Sequence, residues 1–308
     1  MQGLERSENF FREYGLPLFE KRFPELLPDL AAGVAGRGSE CFGFDDELSE
    51  DHDFAVGFTL WLEDDVERAR GFELQRAYDA LIKEHFPHSE SKSSKLGPSE
   101  HGVVRICDFY RRHTGLPDVP RTWQEWLYTP EYAFAEAVNG KVFIDHAGVF
   151  SRIRNVLLYD MPEDVRLKKI ASRLISMAQS GQYNFERCLK HGEPGAAAMA
   201  LCEFVKNAVS LLFLFEFRFA PYYKWQFRAL RLLPRFGVLA DLLESLLAGT
   251  LSTAGKNAAV EQVCAEVADH LRESGLTELS DSYLEPHAFE VMKRIRSAQI
   301  RGLHVMEG

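Results

Sequence analysis

Residues 36–53, GRGSECFGFDDELSEDHD, bring together two residue types that do chemistry in concert. Gly38 and Ser39 read as a small turn, and seven acidic residues follow between Glu40 and Asp53, ending in Asp51-His52-Asp53. Carboxylates this crowded repel one another unless solvent screens them or a cation sits among them. On an extended strand, side chains at i and i+2 share a face, so Asp51 and Asp53 can direct two carboxylates at one point while His52 points away. Two convergent carboxylates suit Mg²⁺, a hard ion that takes oxygen ligands and keeps several waters, with Mn²⁺ as the alternative. A Gly-Ser turn beside them offers backbone N–H groups and a hydroxyl to phosphate oxygens, since glycine lets the backbone approach closely. The competing reading is a solvated acidic loop. The Gly38-Ser39 turn upstream and the apolar run downstream favour the metal site. Asp45, Asp46, Glu47 and Glu50 read as loop and surface residues.

The elements that must position this motif are legible on either side of it. Residues 4–23 have helical spacing, with Pro17 as an interruption. LAAGVAG (30–36) reads as a short buried strand running into the turn, and DFAVGFTLWL (53–62) as a β-rich strand leaving the acidic run. Residues 64–85 show helical periodicity, GVVRICDF (102–109) reads as a further strand, 122–138 as helix, and KVFIDHAGVFSRI (141–153) as a hairpin with Asp145, His146 and Gly148 at its turn. PHSESKSSKLGPSEH (87–101) is a polar loop whose Lys92 and Lys95 could contact phosphates or merely confer solubility. From about residue 160 onward the apolar pattern is helical throughout, which places a domain boundary at 155–160.

The chain has 308 residues, 46% of them hydrophobic, and a formal net charge of −10. That acidity argues against nucleic acid or an anionic membrane as partner. The most apolar run, AVSLLFLFEFRFA (208–220), is too short to span a bilayer and carries Glu216 and Arg218, so it reads as a buried helix. Cys41, Cys107, Cys188, Cys202 and Cys264 are scattered and odd in number, without a CxxC pair. With no cationic apolar leader, the expectation is a cytoplasmic protein. No HxxxH pair, nucleophile elbow, P-loop or dinucleotide fingerprint is present.

Gly38-Ser39 followed about a dozen residues later by Asp51-His52-Asp53 resembles the nucleotidyltransferase superfamily, which includes DNA polymerase β and the kanamycin nucleotidyltransferases. The wider wording, in GRGSECFGFDDELSEDHD, GKVFIDHAGVFSRIR, GQYNFERCL and PYYKWQFRAL, is most similar to a bacterial subset known as domain of unknown function 4037. His52 stands where the superfamily usually has an apolar residue. The resemblance implies an α+β fold, with a nucleotidyltransferase-like mixed-sheet domain over 1–157 and an all-helical bundle over 158–308. It also implies transfer of an NMP group from an NTP, ATP foremost, to a small-molecule or protein acceptor, with release of pyrophosphate. Asp51 and Asp53 would then hold the metal, and Gly38 and Ser39 the phosphates. A third carboxylate is expected, Asp108 first and Asp145 as the fallback, although Asp108 also suits a helix cap and Asp145 a turn. A lysine of the helical domain would reach the triphosphate, with Lys224 the first candidate and Arg187 the second. The polar residues of GQYNFERCL, Gln182 and Asn184 among them, lie within apolar segments and need partners. The alternatives are a catalytically silent nucleotide-binding regulator and an antitoxin-like protein-binding module.

Overall fold

Four short strands, each of four or five residues, make one mixed sheet: β1 (Ala31–Val34), β2 (Thr59–Leu62), β3 (Gly102–Arg105) and β4 (Lys141–Asp145), in the order β3-β2-β1-β4. The computed structural model describes residues 3–45, 56–87 and 101–308. β1 runs antiparallel to both β2 and β4, while β2 and β3 are parallel. Every residue of β1 and β2 is buried. β2 therefore reads as a continuous apolar run rather than an alternating one, because both of its faces are covered. On one face Leu60 and Leu62 join a cluster with Phe10, Phe11, Phe19, Phe58, Leu74 and Tyr78. On the other, Trp61 stacks on Phe150 at 3.8 Å between ring centroids and meets Phe109 edge-on.

The helices of this part are α1 (Gly3–Phe10), α2 (Leu16–Arg22), α3 (Ser39–Phe42), α4 (Asp64–His85) and α5 (Ile106–Thr114); after them come α6 (Trp123–Tyr128), α7 (Glu131–Val138) and α8 (Val149–Tyr159). In α4 the residues at one helical face, Leu74, Ala77, Tyr78 and Leu81, are buried. Asp64, Asp65 and Glu67 in its first turn and Lys83 and His85 in its last complement the helix dipole. The chain divides into two compact units, one of Met1–Pro120 with Ala133–Asp160 and one of Arg121–Tyr132 with Met161–Gly308.

Several local expectations change. The interruption expected at Pro17, the second residue of α2, takes the form of a π-helical turn at Phe11–Gly15 that links α1 to α2. The strand expected over 102–109 ends at Arg105, and Asp108 lies in the first turn of α5. The expected helix over 122–138 is two helices, parted at Thr129-Pro130, because proline supplies no N–H to continue the first. KVFIDHAGVFSRI is no hairpin: β4 leads through Gly148, at φ 72°, into α8. A short loop and a helix start share the same Asp and Gly signals, which explains the misreading.

The second unit is helical from residue 161 onward, as its sequence texture implied: α9 (Glu163–Met177), a π-helical stretch Ala178–Phe185, α10 (Glu186–Lys190), α11 (Pro194–Phe215), α12 (Tyr223–Leu230), α13 (Ala240–Leu247), α14 (Thr253–Glu273), α15 (Leu284–Arg294) and α16 (Ala298–Arg301). Fold class is thus α+β, a mixed sheet with its helices followed by a helical bundle. α11 is the one helix among the described residues long and apolar enough to cross a membrane, and 72% of its most apolar window is buried within the protein.

α9 packs against α11 and α15 and is buried along most of its length, Arg166, Lys168, Lys169 and Ser172 included. Those polar groups are satisfied locally. Lys169 donates to the Leu127 carbonyl at 2.8 Å, and Arg173 and Ser210 both bind the buried Glu131, at 3.1 and 2.6 Å. Lys168, Ser172 and Arg173 hold the carbonyl oxygens of Val305, Met306, Glu307 and Gly308. Gly181 lets α11 approach: a Cβ there would sit 2.3 Å from the Phe204 ring.

Two outcomes follow from this packing. Gly181→Ala is expected to destabilise the helical unit by about 1–3 kcal/mol through overpacking, read as a lower urea midpoint with an unchanged slope. Burial pushes the Lys169 ammonium down to about 8. The unfolded lysine titrates near 10.4, so between pH 8 and 10 the unfolded chain binds more protons and stability rises with pH. Wild type should therefore gain on Lys169→Met across that window, by up to about 3 kcal/mol at 1.36 kcal/mol per pH unit, measured as the difference in unfolding free energy.

Candidate functional site

β1 delivers the chain to the Gly-Ser turn. After Val34, Gly36 adopts φ 135°, a backbone open to glycine, and Gly38 is extended at φ −63° and ψ 152° before Ser39 opens the single turn of α3. The Ser39 and Glu40 carbonyls accept from the Phe44 and Gly43 amides at 2.9 and 3.0 Å, closing the segment on itself. A Cβ at Gly38 would lie 2.0 Å from a Glu40 carboxylate oxygen, so the Glu40 side chain folds back over this glycine.

The turn is fastened from a distant part of the sequence. The Asn139 carboxamide accepts from the Gly36 amide at 2.9 Å and donates to the Gly36 carbonyl at 2.6 Å. The Gly140 amide donates to the Cys41 carbonyl at 2.8 Å. Gly140, at φ 65°, passes so near β1 that a Cβ would fall 1.9 Å from the Val34 oxygen. One helical turn before Asn139, the buried Glu136 takes hydrogen bonds through one oxygen from Arg37 Nε and from the His113 ring, each at 3.2 Å. A carboxylate withdrawn from water needs such partners, and here one of them belongs to the turn itself.

The strand registers place the remaining candidates. Val34 and Lys141 pair at one end of the sheet, with Thr59 and Gly102 alongside; Leu62 and Arg105 pair at the other end, where Ala31 meets Asp145. Gly38 and Ser39 continue from the first end. Asp108 and Asp145 follow or occupy the second, about 10 Å away at 3.3 Å per strand residue. Neither acid is brought together with the Gly-Ser turn. Asp108 is tied to Arg105 at 2.7 Å and to Arg111 at 2.7 Å. Asp145 accepts from the Gly148 and Ser151 amides, at 3.0 and 2.7 Å, and so satisfies the start of α8. Asp51 and Asp53, with Lys92 and Lys95, lie outside the described residues.

In the helical unit Lys224 is exposed in the first turn of α12, its ammonium 4.7 Å from the Trp225 ring centroid. Arg187 is exposed on α10 and donates to the Tyr183 hydroxyl at 2.9 Å. Gln182 has the partners its setting demanded: its amide donates to Glu261 and to the Ser282 carbonyl and accepts from the Leu284 amide at 2.9 Å. It is a tie between helices. Among the described residues there is no group of three or more His, Cys, Asp or Glu side chains that could hold a metal ion.

Residues 126–226 match the model of a family described as Domain of unknown function (DUF4037). That match bears out the resemblance read from the sequence over the segment holding GKVFIDHAGVFSRIR and GQYNFERCL. It includes Glu136, Asn139 and Gly140, and it leaves out the Gly38-Ser39 turn. A solved structure, a nucleotidyltransferase-like protein from Exiguobacterium sibiricum 255-15, is similar at 13% identity, over 91% of this chain and 80% of that one, with a TM-score of 0.37. At that score, residue roles rest on the geometry of this chain alone. No curated protein matches.

Glu136, Asn139, Arg37 and His113 were missed in the sequence. The Asn-Gly dipeptide marks a turn, but its bond to Gly36 spans 103 positions, and no local pattern carries that. The Asp145 geometry yields a direct expectation. Asp145→Ala should cost about 1 kcal/mol, the usual price of leaving helix-start amides without a side-chain acceptor, seen as a lowered denaturation midpoint.

Proposed function

We propose that the chain is a Mg²⁺-dependent nucleotidyltransferase that passes an NMP group from an NTP, ATP foremost, to a small-molecule or protein acceptor. One observation carries the reading: a glycine-bearing turn leaves the end of a buried strand, is pinned rigidly by Asn139, and precedes the acidic run that ends in Asp51-His52-Asp53. Rigid backbone turns with glycine at the point of approach are how proteins bring N–H groups to phosphate oxygens. Gly38 and Ser39 are assigned to the phosphates, and Asp51 and Asp53 to the ion, whose preference for carboxylate oxygens they meet. Bound there, Mg²⁺ would neutralise the charge that builds on the departing pyrophosphate.

In the transfer itself an acceptor oxygen forms a bond to the α-phosphorus, and the α–β phosphoanhydride breaks. The residues of this chain would orient the triphosphate so that attack is in line. Lys224 and Arg187, both exposed, are kept as candidate phosphate contacts on the sequence resemblance alone. Asp108 and Asp145 are left out of the proposed site, since each is engaged at the other end of the sheet. That same placement favours a second reading, in which nucleotide is bound without turnover and the protein regulates. The net charge of −10 speaks for an acceptor other than nucleic acid, and five free cysteines suit a reducing, cytoplasmic setting.

The test is thermal unfolding with ATP, GTP, CTP or UTP, each with and without Mg²⁺, beside an Asp51→Asn/Asp53→Asn variant. A ligand that binds only the folded state stabilises by about 2.7 kcal/mol at a hundred times its Kd. A magnesium-dependent rise that the variant loses is the expected result. Pyrophosphate release in the presence of acceptor then separates transferase from regulator. No rise with any nucleotide would sink both readings.

A further inference from the structure

The bond between Asn139 and Gly36 is unlike the other contacts of the turn. It engages both the donor and the acceptor of a single peptide residue. Gly36 is buried and has φ 135°, so its amide would otherwise be a buried polar group held in a conformation few residues adopt. The carboxamide of asparagine has an acceptor oxygen and a donor nitrogen spaced to satisfy both groups, which neither aspartate nor alanine can do. The Gly140 amide on Cys41 and Glu136 on Arg37 fasten the two flanks of the same turn. Residues 136–140 thus act on Gly36, Arg37 and Cys41, that is, before and after Gly38-Ser39.

We infer that Asn139 is a positioning residue of the nucleotide site: it presets the Gly36–Ser39 backbone so that phosphate meets a turn already formed. The inference rests on the function proposed above. Because Asn139 occupies the Gly36 amide, that amide takes no part in holding phosphate, and the contacts of the turn begin after it. Ordering a loop at the moment of binding subtracts from affinity, so a turn fastened in advance binds more tightly than the same residues left loose.

The experiment uses the full chain, Mg²⁺–ATP, and calorimetric titration at a temperature well below unfolding. Three variants are compared: Asn139→Ala, Asn139→Asp, which keeps the acceptor for the Gly36 amide and loses the donor, and Tyr110→Phe. Tyr110 lies in the same unit and donates to the Phe150 carbonyl at 2.9 Å. Its loss removes a buried hydrogen bond without touching the turn, so it controls for stability. Melting temperature and far-ultraviolet circular dichroism are recorded for all. The expected result is a loss of affinity of tenfold or more for Asn139→Ala, a smaller loss for Asn139→Asp, and none for Tyr110→Phe at a comparable drop in melting temperature. Wild-type affinity in a folded Asn139→Ala protein would overturn the positioning role and leave the nucleotide site standing. Equal losses in Asn139→Ala and Tyr110→Phe would overturn it too, as a mere stability effect. Absence of binding in wild type would remove the nucleotide reading and this inference together.

Discussion

Strand β2 is four residues long and must be covered on both faces, and the first unit is arranged around that constraint. So short a sheet offers little hydrogen bonding, and its stability comes from what lies above and below it. Leu60 and Leu62 on one side and Trp61 on the other divide the surrounding aromatic residues into two layers. Stacked and edge-on ring pairs of this kind add about 0.5–1.5 kcal/mol beyond burial. With the helices committed to the faces, only the sheet's ends remain for chemistry. The register then decides which residues share an end.

That decision separates groups that sequence alone would gather. The Gly-Ser turn, Asn139 and the buried Glu136 with its histidine occupy one end, where β1 finishes and β4 begins. The aspartates at 108 and 145 fall at the other and are consumed in bracing helix starts and arginines. An acidic residue close to a strand end is therefore weak guidance until the strand's direction is known. The helical unit follows a different rule: its central helix buries lysine, serine and arginine side chains by matching each to a carbonyl or to Glu131, so its core is specified by polar pairing as well as by volume.

What the sequence made legible follows the range of the interactions involved. Helix α4 is readable in its bounds, since its apolar spacing is local, although Phe72 within that spacing is exposed. The strand status of 31–34 and the helical nature of everything after residue 160 were equally local in origin. The strand expected at 102–109 is half helix: Ile106 and Phe109 suit both states, and in the fold both are buried from a helix, Phe109 against Trp61. The Asp-x-x-Gly of 145–148 was read as a hairpin although it starts a helix, since the same residues serve both. The DUF4037 resemblance came from whole phrases and holds over 126–226. Asn139, Glu136 and His113 went unnoticed, for their meaning depends on partners far along the chain.

The grip of α9 on residues 305–308 has a consequence for how this sequence can vary. Lys168, Ser172 and Arg173 recognise main-chain oxygens, which every amino acid carries alike. Identity at 305 and 306 is thus largely unread, whereas the Glu307 carboxylate meets the Tyr128 hydroxyl and Gly308 has φ 121°, a backbone that favours glycine. The burden of specification falls on the helix instead. Drift at 305 and 306 is nearly neutral so long as the backbone keeps its path, whereas a change at 168 or 172 takes away the donor that holds the Val305 or the Met306 carbonyl.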